Sequence, residues 1–555
     1  MMDNPRNYSN ELRFFFSNKF FISCILFTVI LTFGFATFNI TVGMDDLEGE
    51  LYVGSGNAML AAGRFTITLL SRVFGYGSKV LQNAFLIDIL AIAGLIWSAV
   101  NFCVLFRRIC GDAFTSEAAT VFSCIFLSYP LIHEIWEYTG ANLCVSIGFL
   151  FDSITLLSVY DILHQKKQHS WKHILIATIS MMFVCAGYES LVPVYIFAVF
   201  ALLALQVIYG PEKEKKLKEI LCQGLCYAGV LAAGLVLRFL VHRFILWTTD
   251  IDQASNGATM IYWSFVPVIS VLKHLFLAWI QDYILKGLIY LPITELVLAC
   301  IILLVIGLAE CRKHGPVILL PGLGMYLSLI ILSLLQGTAS PYRTCQVFTM
   351  FVAFTLMYIV MTSKHWKQTW LRNGLLIFCA FLCFYQGNCN SYFMTLNHQR
   401  SEEEAYILRD IGTDLAQKNT TEKPVIFVGS HALSNDVIES ASISPDSKRW
   451  KLCDRLYNAL SERLTDPYSL YFMHDPLSRK LPQTNVNSVI NYGKHAGSQT
   501  AMVHLMAYYG FEYARADVDQ LQSEADMYVI EHNVPAYPKD GYIQDAGDYL
   551  IVHIE

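Results

Sequence analysis

The stretch Gly43-Met44-Asp45-Asp46-Leu47-Glu48-Gly49-Glu50 places four carboxylates directly behind a long apolar run. Carboxylates so placed can do proton chemistry. A hydroxyl is a weak nucleophile, and an aspartate within hydrogen-bond reach can take its proton as the oxygen attacks. A phosphate leaving group carries negative charge and needs cations or backbone donors instead. Arg64 is the better phosphate candidate, because Gly63 precedes it and an apolar helical stretch follows; Arg343, in Pro341-Tyr342-Arg343, is a second. Each has a plainer reading. Asp45-Asp46 could open an acidic helix start near Leu47, and Arg64 and Arg343 could reach towards lipid headgroups. Arg72 and Lys79 have weaker claims, and Glu48 and Glu50 read as solvated loop or helix residues.

Two more groups combine carboxylates with aromatic rings. Glu134, Trp136 and Glu137 form a compact polar and aromatic set, in which an indole can stack on a sugar face and a glutamate can accept hydroxyl protons. The competing reading of Trp136 is an interfacial belt residue. Tyr188-Glu189 interrupts two apolar runs with scarcely any loop, and a glutamate there is costly unless it is paired or faces a wet cavity.

The elements that must position these residues are membrane spans. Hydrophobic residues make up 55% of the 555 residues and charged ones 15%, with mean hydropathy +0.44. Apolar runs long enough for a hydrocarbon core about 30 Å thick recur through residue 388. The expected spans lie near 20–42, 84–105, 114–132, 142–160, 173–187, 191–209, 220–241, 288–309, 317–336, 345–361 and 374–388. Basic residues of short loops are retained in the cytoplasm. With Arg6, Arg13 and Lys19 inside, alternate loops carry Arg107-Arg108, Lys166-Lys167-Lys172, Lys213 to Lys218, Arg312-Lys313 and Lys364 to Arg372. The opposite loops hold Asp45, Asp46, Glu134, Glu137, Asp250 and Asp252. The expectation is a polytopic α-helical membrane protein of about eleven spans, amino terminus cytoplasmic. The 242–287 region, with His242, Arg243 and Lys273, is expected as an outer re-entrant or surface helix.

Residues 389–555 differ from the membrane part, 1–388, in mixing charged helical surfaces with short strands. Pro424 to Gly429, Met527 to Ile530 and Tyr549 to Val552 read as strands and Ser444 to Leu464 as a helix, which together suggest an extracytoplasmic α/β domain. All cysteines but Cys389 and Cys453 lie before residue 389, mostly in apolar runs where they act as small hydrophobes. Those two stand on the oxidising side and are candidates to pair. Metal-ligand, Walker and dinucleotide motifs are missing, so neither metal nor cofactor is assigned. A net charge of −6 gives no support for nucleic-acid binding.

Phe38 to Asp46, followed by Ala61-Ala62-Gly63-Arg64-Phe65-Thr66-Ile67-Thr68-Leu69-Leu70, resembles the opening of the GtrII-type glucosyltransferases, polytopic bacterial membrane proteins of GT-C architecture. Trp136 to Ala141, Gly187 to Ser190 and Tyr385 through Asp410 are also similar. The resemblance implies transfer of a hexose, typically glucose, from a polyprenyl-phosphate carrier such as undecaprenyl phosphate to a surface polysaccharide or related glycopolymer. The reaction would take place on the outer face of the bacterial cytoplasmic membrane. It implies that Asp45 and Asp46 contain the base, Asp46 slightly favoured, and that Arg64 and Arg343 meet the donor phosphate. Glu134, Trp136, Glu137 and Glu189 would line the substrate pocket. It also implies functional links to a flippase and to a polyprenyl-phosphate glucosyltransferase. The alternative of another class is a transporter or flippase for a lipid-linked sugar, although no matching broken-helix halves are evident.

Overall fold

The computed structural model describes residues 8–42, 58–75, 82–164, 170–211, 216–251, 261–418, 423–464, 496–513 and 518–554, with 467, 468, 477 and 479. Asp45, Asp46, Glu48, Glu50, Lys79 and Asp252 lie outside the described residues.

The chain opens with α1 (Tyr8–Phe16) and α2 (Lys19–Phe38), whose first turn is capped by Asn18 Oδ1 accepting from Phe21 N at 3.1 Å. Two short helices follow, α3 (Ala58–Ala61) and α4 (Phe65–Phe74). The bundle continues through α5 (Ala84–Cys110), α6 (Ser116–Ser128), α7 (Thr139–His164), α8 (Ser170–Cys185), α9 (Leu191–Tyr209) and α10 (Leu217–Thr249). Then come α11 (Val268–Trp279), α12 (Leu291–His314), α13 (Leu319–Gln336), α14 (Val347–Ser363) and α15 (Thr369–Lys418).

One apolar core runs through the bundle. At its centre stands α6, buried from Ala118 to Ser128 and enclosed by α2, α5, α14 and α15. Outer helices instead turn large apolar side chains to the surroundings: Phe27 and Ile30 on α2, Leu225, Phe239 and Trp247 on α10, Ile301 and Leu304 on α12. Such a continuous greasy exterior suits lipid, and helices satisfy their backbone polar groups internally.

Among the described residues, eight helices are long and apolar enough to cross a membrane: 19–38, 84–113, 139–164, 191–209, 217–249, 268–288, 291–314 and 316–336. The chain is a multi-pass membrane protein. Each of the eleven expected spans coincides with a helix, but 116–128, 170–185 and 347–363 are shorter, and the last is the opening of α15. The 268–288 segment is apolar enough to cross by composition, but it lies along one end of the bundle, with Trp263 Nε1 donating to Leu334 O at 2.6 Å, His274 Nε2 3.1 Å from Thr338 Oγ1 and Tyr342 OH donating to Asp282 O at 2.9 Å, as an outer re-entrant or surface element would. His242 and Arg243 do not begin a separate element; α10 runs on through them to Thr249.

Beyond the bundle, α15 continues without a break to Lys418, so the boundary expected at residue 389 falls inside one helix. After it come β1 (Val425–Gly429), α16 (Asn435–Ser440), α17 (Lys448–Leu464), α18 (Ala496–Tyr508), α19 (Val518–Glu531), β2 (Ile543–Asp545) and β3 (Leu550–Ile554). The strands form one sheet in the order β1-β3-β2, β1 parallel and β2 antiparallel to β3, with Phe427 opposite Val552. One face of the sheet packs on Leu408, Ile411 and Leu415 of α15 and Leu505 of α18, the other on Ala525 and Val529 of α19. Met527 to Ile530, expected as a strand, is helical. Cys389 and Cys453 do not pair: both are free thiols, Cys389 on α15 and Cys453 on α17, where its Sγ points at Leu285 O, 3.5 Å away. That contact belongs to a small apolar cluster of Leu277, Leu285, Trp450 and Tyr457 through which α17 docks beside α11.

Candidate active site

Glu134, Glu189, Arg64 and Arg343 all lie at the end of the bundle where α7, α9 and α14 begin and where α6, α8 and α13 finish. Arg64 stands at the N-cap position of α4, after a tight turn, and its side chain makes no capping bond. Gly63 makes the turn possible in two ways: its φ is +77°, and a Cβ there would come 2.9 Å from Arg238 Nη2. The turn is held from α10, where Arg238 Nε donates to Gly63 O at 3.3 Å and its Nη2 to Ala62 O at 3.3 Å. His242 Nε2 lies 2.7 Å from Leu60 O. On the other side, Thr66 Oγ1 donates to Phe183 O at 3.0 Å and Thr66 N to Ala186 O at 3.1 Å, which fixes α4 to the end of α8.

That same end of α8 carries Tyr188 and Glu189. Gly187 lets the turn sit tightly, since a Cβ on it would meet Cys144 Sγ at 3.0 Å. Arg64 and Glu189, assigned separate parts in the sequence reading, are joined here: Arg64 Nε and Nη2 donate to Glu189 Oε2 at 3.1 and 2.9 Å. Arg238 Nη2 stands 3.5 Å from Glu189 Oε1, and the Arg64 guanidinium lies 5.5 Å from the Tyr188 ring centroid. Two guanidiniums converge on one carboxylate. The Arg64 and Glu189 side chains retain 34% and 42% of their exposure. An ion pair that open stabilises a fold by only ~0–1 kcal/mol. Its effect is to hold two cations in place at an accessible surface.

A second group forms around the 3₁₀ turn Pro130–Glu137. Glu134 Oε2 accepts from Arg343 N at 3.1 Å, and Arg343 Nη1 is 3.4 Å from Glu134 Oε1. The Arg343 guanidinium stands 5.6 Å from the Tyr138 ring centroid, so this second candidate phosphate ligand is likewise held by a carboxylate and an aromatic ring. Glu137 is buried, accepting from Asn397 Nδ2 at 2.7 Å. The role expected for Trp136 does not match its place. Its residue exposure is 4% and its ring packs 4.6 Å from Phe33, so it serves the core between α2 and this turn rather than offering an open face to a sugar. Leu131, Ile135 and Trp136 together take the buried side of this turn.

The described residues on either side of 43–57, the segment that contains Asp45 and Asp46, are both held. At Val42, the last described residue before it, the carbonyl accepts from Arg400 Nη2 at 2.9 Å, and Arg400 is 2% exposed. On the far flank the 58–63 turn is held by Arg238 and His242 as described. Sequence reasoning missed Arg238, Asn397 and Arg400. Arg238 had a signal, an arginine within an otherwise apolar span. Asn397 and Arg400 had none, because the polar stretch Asn397 to Glu404 looks like solvated surface until the fold buries one side of it.

Farther along α15, a face rich in acids and rings is open to water. Tyr406 is 73% exposed, Tyr537 OH donates to Asp410 Oδ2 at 2.8 Å, and Tyr542 OH to Asp414 Oδ2 at 2.8 Å. Burial, followed by the neighbouring Asp410, raises the Tyr537 hydroxyl above its ordinary value, so it stays protonated and donates. His431 stands edge-on to Tyr537 with centroids 6.1 Å apart, and Glu403 accepts from Ser434 N at 2.7 Å beside them.

No curated protein matches the chain. The family model described as glucosyl transferase GtrII matches residues 34–360, a stretch that takes in Asp45, Asp46, Arg64, Glu134, Glu189 and Arg343 and stops short of the Tyr385 to Asp410 stretch. With more than half of its length matched, the chain belongs to the GtrII glucosyl transferase family.

Proposed function

We propose that the protein transfers a hexosyl group, glucose first among the candidates, from a polyprenyl-phosphate-linked donor to a cell-surface polysaccharide or related glycopolymer. Asp46 or Asp45 takes the proton of the acceptor hydroxyl as that oxygen attacks the anomeric carbon. The bond from that carbon to the phosphate oxygen breaks, and the phosphate leaves with the electron pair. Arg64 and Arg238, with Arg343 beside the neighbouring turn, take up its charge. One displacement of this kind inverts the anomeric centre.

The observation that carries the reading is the convergence of Arg64 and Arg238 on Glu189. A donor phosphate arriving there meets cations already in position, and Arg238 also holds the flank of the aspartate-bearing segment. The basic loops at the opposite end of the bundle favour an extracytoplasmic site, with the amino terminus in the cytoplasm and residues 389–555 outside. A donor assembled on the inner leaflet would then need a flippase before this enzyme and a polyprenyl-phosphate glucosyltransferase before that. The open face at Tyr406, Asp410 and Tyr537 supports acceptor binding by the exterior part, since exposed aromatic rings and carboxylates suit sugar faces and hydroxyl groups.

The test is turnover by the purified protein in liposomes, with radiolabelled polyprenyl-phosphate glucose and a glycopolymer acceptor. Asp46→Asn keeps the size and removes the base, so turnover should fall by roughly 10²-fold or more with donor binding retained. If the loss appears only in Asp45→Asn, the base is Asp45. Normal turnover in both variants defeats the mechanism, and movement of the intact donor across the bilayer without cleavage would mark a transporter.

A further inference from the structure

At the other end of the bundle, α12 and α13 form a hairpin around Gly315; the two helices meet where Tyr326 OH donates to Cys300 O and leave a gap beside Gly307 and Gly322. α13 packs chiefly on α9 and α12 on α14. Between them lies a cavity of about 340 Å³, floored by Leu205 and Phe354 and walled by Leu304, Gly307, Gly322 and Leu323. Its size falls within the ~300–1,000 Å³ usual for small-molecule sites. The cavity opens sideways: Leu304, Leu308, Leu319 and Leu323 on its rim are 53%, 54%, 46% and 69% exposed. Neither Gly307 nor Gly322 has any atom within 4 Å of where a Cβ would stand, so missing side chains, rather than tight backbone packing, leave the space empty.

The mouth is charged. Glu310 belongs to the lining, and its residue exposure is 6%. Lys313 Nζ sits 2.8 Å from Glu310 Oε1 and His314 Nε2 3.4 Å from Oε2, so one carboxylate holds two basic groups at the end of an apolar groove. Arg312 lies in the same turn, and the Tyr358 hydroxyl faces the same carboxylate. The carbonyl end of α12 disfavours an anion by itself. Recognition of a negative group therefore falls to Lys313, His314 and Arg312, whose charge outweighs that of Glu310.

We infer that this groove binds a glycerophospholipid with an anionic headgroup, one acyl chain lying between α12 and α13 and the phosphate at Lys313 and His314. The distance argues for a phospholipid over the proposed sugar donor. α12 has 24 residues, about 36 Å at ~1.5 Å per residue, so the mouth lies in the leaflet opposite Arg64 and Glu189. The bound chain acts as a wedge. It sets the spacing of the hairpin, and the far end of α13 leads through Gly337 and Ser340 to Arg343.

Native mass spectrometry of the delipidated full-length protein tests this with four probes: phosphatidylglycerol, phosphatidylethanolamine, phosphatidylcholine and a polyprenyl phosphate. Phosphatidylglycerol should be retained about tenfold better than the two zwitterionic lipids. Gly307→Leu and Gly322→Leu, made separately, should each remove that adduct without lowering thermal stability, because they fill open space and improve helix propensity. Lys313→Gln changes an exposed side chain and should keep lipid binding while losing the headgroup preference. Equal retention of phosphatidylglycerol by both leucine variants would overturn the inference, and so would equal retention of all three phospholipids. Preferential binding of the polyprenyl phosphate, lost in the same variants, would give the groove to the carrier instead.

Discussion

The guanidinium of Arg400 donates to the carbonyl of Val42 at 2.9 Å, although the two residues stand 358 positions apart. An arginine with 2% exposure is costly to bury, and its reward here is a fixed backbone point just before Gly43-Met44-Asp45-Asp46. Under the proposed mechanism Arg400 acts as a positioning residue for the segment that carries the carboxylates, and not as a group that touches substrate.

Arg400→Gln should therefore lower kcat by about tenfold or more with little change in donor KM, since a small displacement of a reacting group is enough for that loss. Arg400→Lys restores the charge and one donor and should recover part of the rate. Steady-state kinetics beside a thermal unfolding curve checks it; a parallel loss of stability and rate, with no rescue by lysine, would reduce Arg400 to a packing residue.

Arg64→Gln and Arg238→Gln should each raise donor KM, and the effect of salt on donor affinity should shrink in both. Glu189→Gln releases both cations from their common partner. It should tighten binding of bare polyprenyl phosphate while slowing turnover, because the cations gain charge but lose their fixed places. A double-mutant cycle between Arg64 and Glu189 should show coupling of about 0.5–3 kcal/mol in donor binding. Additive effects would separate the two residues functionally.

Tyr406→Ala and Asp410→Asn should raise acceptor KM and leave donor KM unchanged, because both lie on the open stretch of α15 well beyond Arg400. Binding of acceptor fragments measured by calorimetry gives the direct comparison. Wild-type acceptor affinity and product pattern in the double variant would remove this face from acceptor recognition.

Cysteine accessibility at Lys215, Ser255 and the carboxyl terminus should read inside, outside and outside. A carboxyl terminus protected in intact cells would reverse the orientation and place the site on the other leaflet.

The sequence carried the bundle because long apolar runs leave few alternatives in a membrane, and it marked Arg64, Glu134, Glu189 and Arg343, which the fold gathers at one end, by their charge on the sparsely basic side of the spans. It did not carry their pairing. That Arg64 meets Glu189 depends on α4 lying against the end of α8, which Thr66 secures through backbone contacts with no pattern in the sequence. Trp136 misled for a related reason: an aromatic residue between two glutamates looks exposed until Phe33 is found against it. Met527 to Ile530 misled through residue type. Tyr, Val and Ile favour strands, but Leu521, Ala525, Tyr528 and Val529 repeat at helical spacing and pack as one stripe against the sheet. The longer period should have decided it. Cys389 and Cys453 shared a compartment in the sequence reading, and compartment alone does not bring two thiols together.

The unbroken run of α15 has a metric consequence. Arg400, which pins the chain before the aspartates, and Asp410, on the open acidic and aromatic face, are ten residues apart on one rigid rod, about 15 Å at ~1.5 Å per residue. A polymer held at Asp410 would therefore present to the Val42 end of the helix a sugar at a set offset from the one that is gripped. The helix would serve as a ruler, and branch spacing along the product would follow its length.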